Sequence, residues 1–177
     1  MQLVTAILRG FQAIFAIVVL GISVDLARGQ ETRVQSVPAA TGYAAFCGGL
    51  GTLVALIGVA SLFVSSLDGI ITWALDGLSS LTMLAAGIAF AVLLRDANCS
   101  RAYTAERNSL LNGGCFKEDG DSYCRYTSTS DSGKLKSRCV SAKADTAFMF
   151  ISFVTCLAIV GYSFFMRGRG AKGVSYA

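Results

Sequence analysis

Long, uninterrupted apolar stretches dominate this chain. Four of them run over residues 3–27, 40–64, 70–94 and 145–166. The hydrocarbon core of a bilayer is ~30 Å thick, and a helix needs about 20 apolar residues to cross it. The apolar positions are contiguous and do not alternate as they would in half-buried strands. The pattern therefore predicts an all-α integral membrane protein, a four-helix bundle that crosses the bilayer four times.

The first stretch has one competing interpretation, a cleaved signal peptide, because Arg9 is followed by an apolar run over 11–24. A signal peptide ends in small residues at its cleavage site. Asp25, Leu26 and Ala27 fit such a site poorly, and the apolar character begins before Arg9. We therefore expect a retained spanning helix.

The polar segments between the four stretches differ greatly in size. Residues 28–39 form a short loop that includes Pro38, and residues 65–69 form a tight turn. Residues 95–144 form the one sizeable polar loop, and residues 167–177 form a short basic tail. The chain is thus predicted to be one four-span membrane domain over residues 1–166, with one large loop between the third and fourth spans.

The composition supports a membrane protein and limits the catalytic and metal-binding chemistry open to the chain. Hydrophobic residues make up 54% of the chain and charged residues 15%, against ~25% charged in soluble domains. No basic run is interleaved with aromatics, so nothing favours nucleic acid as a partner. The chain has no histidine, which removes the commonest general base and a common metal ligand. We expect no enzyme activity, no cofactor and no metal.

Orientation depends on two opposing signals. The positive-inside rule assigns Lys- and Arg-rich short segments to the cytoplasm. The basic tail fits this rule, but the loop over 95–144 holds nine Lys and Arg residues. The same loop holds four of the six cysteines, an even count typical of two disulfides in an oxidising compartment. We give the cysteines more weight and predict a lumenal or extracellular loop with both termini in the cytoplasm.

The four loop cysteines are Cys99, Cys115, Cys124 and Cys139, and they allow three pairings. We favour Cys99 with Cys139, since both lie just beyond the ends of antiparallel helices, which leaves Cys115 with Cys124. Zinc ligation by four thiolates is the alternative, but no Cys-x-x-Cys motif is present. Asn98 lies in a glycosylation sequon beside the membrane, and we expect it to be unused.

Two ionisable residues, Arg9 and Asp76, lie more than a few residues from either end of a predicted span. A charge at the bilayer centre costs ~2.5–3.5 kcal/mol even on the lenient insertion scale. Both residues are a little inside the cytoplasmic ends of their helices and therefore at a similar depth. Two interpretations stay open: a structural ion pair, which we favour, and a proton or cation site at Asp76.

The second span carries a stripe of small side chains at alternating steps of three and four, which places them on one helix face. Small residues mark close helix contacts in lipid. The stripe fits packing inside the bundle and also fits self-association between copies. Its members are Thr41, Ala44, Gly48, Gly51, Ala55 and Gly58.

Short motifs along the chain resemble those of one known family. They are Ile7-Leu8-Arg9, Leu75-Asp76-Gly-Leu-Ser-Ser, Ala86-Gly87, Leu94-Arg95 with Cys99, and Ser137-Arg138-Cys139 leading into Ala147-Phe148. In order and spacing they resemble the fungal MARVEL-domain tetraspan membrane proteins, which include the non-classical export protein family of eisosomes. The additional cysteine pair in a long loop departs from the family pattern.

The resemblance implies a four-helix bundle with cytoplasmic termini in the plasma membrane. It also implies Arg9 and Asp76 as an intramembrane charged pair and Cys99–Cys139 as a loop disulfide. Its functional implication is a non-enzymatic scaffold or lipid-responsive organiser, with roles in membrane domains, sphingolipid response or vesicle traffic. The expected partners are membrane lipids, including sphingolipids or sterols, and other copies or membrane proteins. The alternative is a small transporter or channel component using Asp76.

Overall fold

The computed structural model describes residues 2–30, 37–61, 70–118 and 121–171. Its long helices are α1 (Gln2–Arg28), α2 (Ala39–Ala60), α3 (Ile70–Leu93) and α5 (Ser132–Ala171). Each contains a stretch apolar enough to cross a membrane by length and composition. The large loop holds the short helix α4 (Ala102–Glu106) and strands β1 (Cys115–Glu118) and β2 (Asp121–Cys124). The predicted turn over 65–69 lies outside the described residues.

The four long helices pack in a ring. Helix α1 packs against α2 and α5, and α3 packs against the same two helices. The interior is filled by side chains from all four helices, among them Val19, Val54, Phe90 and Met149. Large apolar side chains also cover the outer surface, including Leu53, Leu81, Val154 and Phe164. An apolar interior with an apolar exterior is the pattern of a bundle surrounded by lipid, so the predicted fold class is confirmed.

Helices α1 and α3 begin and end close to the predicted spans. Helix α2 ends at Ala60, and the predicted end of its span at residue 64 lies outside the described residues. The fourth helix differs more. Helix α5 begins at Ser132, so residues 132–144 are helical and not part of the irregular loop. Leu135, Cys139 and Ala142 are fully buried and follow a helical spacing, whereas the lysines next to Leu135 and Ala142 are exposed. An average of hydropathy over this amphipathic stretch conceals the helix. At ~1.5 Å per residue, α5 is about 60 Å long and extends well beyond the ~30 Å hydrocarbon core.

The loop contains a small antiparallel hairpin that the sequence analysis did not anticipate. Strands β1 and β2 pair with Cys115 opposite Cys124 and Glu118 opposite Asp121. The chain enters the hairpin through Gly113 and Gly114, which have φ angles of +77° and +99°. A side chain disfavours these angles, so glycine suits this entry. The hairpin adds two short strands to a fold that otherwise consists of helices.

Candidate functional site: a buried polar cluster joining the four helices

Helix α1 brings two polar side chains into the apolar interior. Arg9 and Gln12 lie three residues apart and therefore on one helix face. Both are almost completely buried, with exposed fractions of 3% and 1%. Arg9 Nη1 donates a hydrogen bond of 2.9 Å to Gln12 Oε1. The Gln12 amide thus orients the Arg9 guanidinium, and both side chains come from α1.

Asp76 on α3 is fully buried, and its carboxylate binds the terminal nitrogens of the Arg9 guanidinium. Arg9 Nη1 lies 2.5 Å from Asp76 Oδ1, and Arg9 Nη2 lies 2.6 Å from Oδ2. Gln12 Nε2 donates a further bond of 3.1 Å to Asp76 Oδ1. This fork-to-fork geometry is the strongest arrangement of a carboxylate with arginine. The structure therefore brings together the two intramembrane charges that the sequence analysis singled out.

Helices α5 and α2 complete the surroundings of the pair. Gln12 Nε2 also donates to Cys156 Sγ on α5 at 3.3 Å. On α2, a Cβ atom at Gly58 would overlap the Arg9 guanidinium, so the glycine makes room for it. We call Arg9, Gln12, Asp76 and Cys156 the polar cluster. Together with Gly58 it connects all four helices at one level of the bundle.

The charged groups of the polar cluster bind each other. Both Asp76 oxygens accept bonds from Arg9, and one of them also accepts from Gln12. Two opposite charges in fork-to-fork contact have no net charge, which reduces the cost of placing them inside a membrane. Arg9 Nε is the one buried atom of the pair with no partner among the described residues. The arrangement suits a cross-brace between helices.

The small-residue stripe of α2 is directed into the bundle. A Cβ atom on Gly48 would lie 2.6 Å from the backbone nitrogen of Leu20 on α1. One on Gly51 would lie 2.8 Å from Met83 Cε and 3.1 Å from Ala16 Cβ. The remaining members also lie in the interior, so all six residues of the stripe are buried: Thr41, Ala44, Gly48, Gly51, Ala55 and Gly58.

A second buried carboxyl was not identified as a site from the sequence. Asp145 on α5 has no exposed surface, and its Oδ2 accepts a bond of 2.7 Å from Ser23 Oγ on α1. Its Oδ1 has no hydrogen-bond partner among the described residues. The available signal was an acidic residue at the first position of the fourth apolar stretch, opposite a serine in the first stretch. Its position at a predicted boundary made it resemble an interfacial residue.

Two disulfides join the parts of the loop. Cys99 pairs with Cys139, whose Cα atoms are 5.4 Å apart, and the bond connects the segment after α3 to α5. Cys115 pairs with Cys124 across the hairpin, with 4.0 Å between their Cα atoms. The favoured pairing is therefore the one present. The described residues include no group of three or more His, Cys, Asp or Glu side chains that could hold a metal ion.

Arg138, beside the first disulfide, fixes the loop to the end of α1. Its Nη2 donates to the carbonyl of Leu26 at 3.0 Å and to that of Leu110 at 3.2 Å, and its Nε donates to Leu111 at 3.0 Å. Helix C-terminal carbonyls lack partners within their helix, and an arginine satisfies them well. A side chain at Gly29 would overlap the guanidinium. From the sequence, Arg138 was recognisable only as part of the Ser137-Arg138-Cys139 motif.

Comparison with known proteins identifies the domain. The family model described as MARVEL, a membrane-associating domain, matches residues 2–162. No curated protein and no solved structure matches the chain at a significant level. The match covers the four long helices through most of α5, together with the polar cluster and both disulfides. The chain therefore belongs to the MARVEL family of membrane-associating domains.

Proposed function

We propose that this protein is a non-enzymatic scaffold that organises a membrane domain by lateral association. The family description, a membrane-associating domain, supports the general role. The finer assignment is a plasma-membrane organiser that takes part in sphingolipid response or vesicle traffic, as in the eisosome-associated non-classical export family. That assignment is supported by the motif resemblance around Arg9, Asp76 and Cys99.

The polar cluster is the observation that carries this proposal. Its charged groups, Arg9 and Asp76, satisfy one another and lie on helices that are not neighbours in the ring. A buried pair with this geometry holds the helices in one arrangement and leaves little bonding capacity for a substrate. A bundle braced in this way is suited to present a fixed lipid-facing surface to its neighbours.

Lateral association requires a helix surface that is not already covered by packing within the bundle. The buried α2 stripe is occupied by α1 and α3, but Gly42 and Gly49 lie on another face of α2, where an added Cβ would meet nothing. Small residues on an open face allow close helix approach between molecules. We assign the lateral contact to this face, together with the nearby Tyr43 and Phe46.

Association can be tested in native membranes by counting fluorescently labelled copies per particle. We expect clusters for the parent protein and fewer copies per cluster for Gly49→Leu, which adds bulk to the open face of α2. The matched control is Gly21→Leu on α1, where an added Cβ also meets nothing. Clusters unchanged by Gly49→Leu would reject this contact, and single copies of the parent protein would reject the scaffold.

The proposed orientation places the large loop outside the cell and both termini in the cytoplasm. Two disulfides in the loop support it, because they persist in oxidising compartments. The test is a membrane-impermeant maleimide applied to intact cells. We expect labelled loop thiols after mild reduction and none before it, with Cys139 protected by its burial. Labelling that requires permeabilised cells would reverse the orientation.

The transporter alternative is favoured by one specific observation. Buried hydroxyls of Ser79, Ser80 and Ser152 and one oxygen of Asp145 have no hydrogen-bond partner among the described residues. Such groups along the interior could assist a proton between Asp76 and Asp145. A proton carrier should keep its fold and lose pH-driven flux in liposomes when Asp76 becomes Asn. A scaffold should show no flux in any variant.

A further inference from the structure

Two adjoining cavities lie in the loop, and the smaller one borders the end of α3. One has a volume of about 440 Å³ and is lined by Tyr103, Glu106, Arg107, Asn112 and the hairpin disulfide. The other, of about 310 Å³, is lined by Leu93, Asp96, Tyr103, Thr104, Arg107 and Asn108. Tyr103 and Arg107 line both, so the cavities share one wall. Volumes of this size fit small ligands or headgroups.

The cavity walls are held by hydrogen bonds. Asn108 Nδ2 donates to the carbonyl of Leu93 at 2.7 Å, which fixes the end of α4 on the last residue of α3. Thr104 Oγ1 donates to the carbonyl of Asn98 at 2.9 Å and accepts from the amide of Asn98 at 3.0 Å. Glu106 Oε2 accepts from the amide of Ser128 at 2.9 Å. The cavities are therefore part of the folded loop.

Arg107 in the shared wall has guanidinium donors available to bind a ligand. Its side chain is exposed, and it makes no hydrogen bond or ion pair with any residue that the structure describes. In contrast, Arg138 bonds three backbone carbonyls, and Arg95 pairs with Asp96. A guanidinium offers five donors in a planar fork that matches phosphate. Arg107 is thus the free anion-binding group of these cavities.

The other lining groups restrict the chemistry of the ligand. Tyr103 is 51% exposed and offers a ring face to a cation. Each cavity also has a carboxylate: Glu106 in the larger and Asp96, which is paired with Arg95, in the smaller. A ligand with only negative charge would meet repulsion from these carboxylates, and one with only positive charge would meet Arg107. The set suits a ligand that carries both charges a few ångströms apart.

We propose that this double cavity binds the zwitterionic phosphoryl-amine headgroup of a phospholipid. Arg107 holds the phosphate, and Tyr103 with a neighbouring carboxylate holds the ammonium. The position favours a membrane lipid, because Leu93 is both the last residue of α3 and part of the cavity wall. Leu93 is 42% exposed, so an acyl chain can continue along the lipid-facing surface of α3.

The test uses the full-length protein in nanodiscs that contain equal amounts of phosphatidylcholine and phosphatidylglycerol. Lipids retained after gentle detergent transfer are counted by native mass spectrometry. We expect retained phosphatidylcholine, with retention reduced about tenfold or more in Arg107→Gln, since a hydrogen bond to a charged group is lost. The control, Lys136→Gln, removes the same charge from an exposed site outside both cavities and should retain lipid as the parent does.

A soluble arm separates a membrane lipid from a free ligand. Free phosphocholine should displace the retained lipid, whereas inorganic phosphate at the same concentration should not, because it lacks the ammonium. Phosphocholine binding without any lipid retention would overturn the proposal that the ligand is a membrane lipid. Preference for phosphatidylglycerol, or equal retention by Arg107→Gln and Lys136→Gln, would overturn the site. The inference uses the membrane location of the proposed function but not self-association, so headgroup binding by single copies would leave it standing.

Discussion

Arg9 and Asp76 lie 67 residues apart in sequence and on helices that do not pack side by side, yet two contacts of 2.5 and 2.6 Å join them. Helices α1 and α3 face each other across the ring of four. The pair therefore crosses the interior and prevents the two helices from separating or rotating independently. Gln12 on α1 adds a bond to Asp76, while Cys156 on α5 and the space at Gly58 on α2 bring the other two helices into contact with the cluster.

Asp76→Asn is expected to destabilise the bundle by about 3 kcal/mol, because it leaves the Arg9 charge buried without its counterion. Free energies of unfolding in mild detergent, measured by denaturant titration, provide the check. Replacing both residues with Met should recover most of the loss, since a buried ion pair is often no better than apolar residues of similar volume.

Asp145→Asn is the matched control for this prediction. Asp145 is as buried as Asp76, but the partner the structure gives it is the neutral hydroxyl of Ser23. The amide is neutral, has nearly the same shape and can accept the same bond. We expect a change of less than about 1 kcal/mol. Equal losses for Asp76→Asn and Asp145→Asn would show that the Arg9 pair gives no special stabilisation.

Replacement by alanine should destabilise the protein at Gly48 but not at the adjacent Gly49. A methyl group at position 48 would lie 2.6 Å from the backbone of Leu20, whereas one at position 49 meets nothing. Overpacking of this kind costs ~1–3 kcal/mol, so Gly48→Ala should lower thermal stability in detergent. Gly49→Ala should stay within about 0.5 kcal/mol of the parent. If both variants unfold alike, the close approach of α1 and α2 is wrong.

Arg138→Lys is expected to release the loop from the end of α1. Lysine cannot reproduce three donor bonds to the carbonyls of Leu26, Leu110 and Leu111. The carbonyl of Leu110 keeps Gln30 as a donor, but leaving the other two buried carbonyls without partners costs ~1–3 kcal/mol each. Hydrogen exchange should therefore accelerate at the amides of Leu111 and Asn112, while that of α3 stays unchanged. Lys136→Arg, at an exposed site on the same helix, serves as the control and should leave exchange as it is.

Sequence alone could predict what depends on hydropathy and depth. The spans follow from apolar runs, and two charges at one depth indicated a pair at Arg9 and Asp76. Gln12 and Cys156 were not predicted, because their role depends on how each helix is rotated about its axis. The α2 stripe predicted which face of the helix is packed but not which helix packs against it. In the structure, Leu20 on α1 lies against Gly48 of the stripe.

The loop was harder to predict for a different physical reason. Its hairpin depends on backbone pairing fixed by Cys115 and Cys124, and four-residue strands leave little periodicity to detect. The start of α5 was missed because Leu135 and Cys139 are separated by charged residues. Even so, cysteine count and helix-end positions led to the favoured disulfides, since a covalent bond needs only that its two ends meet.

The two disulfides should contribute unequally to stability. Cys99–Cys139 spans 40 residues and Cys115–Cys124 spans 9. In the chain-entropy model, closing these loops corresponds to ~4 and ~2.5 kcal/mol. The measurement is a denaturant titration of the Cys99→Ser/Cys139→Ser and Cys115→Ser/Cys124→Ser variants, and the first should be the less stable.

The variants should also differ in what becomes mobile, because only Cys99–Cys139 connects the loop to α5. Without it, limited proteolysis should cut between α3 and α5 even though the hairpin persists. Without Cys115–Cys124, cutting should be confined to the hairpin, since Arg138 and the other disulfide still hold the rest. A hairpin variant that exposes the whole loop would contradict this division. The long-range bond would then depend on the hairpin, and the loop would fold as one cooperative unit.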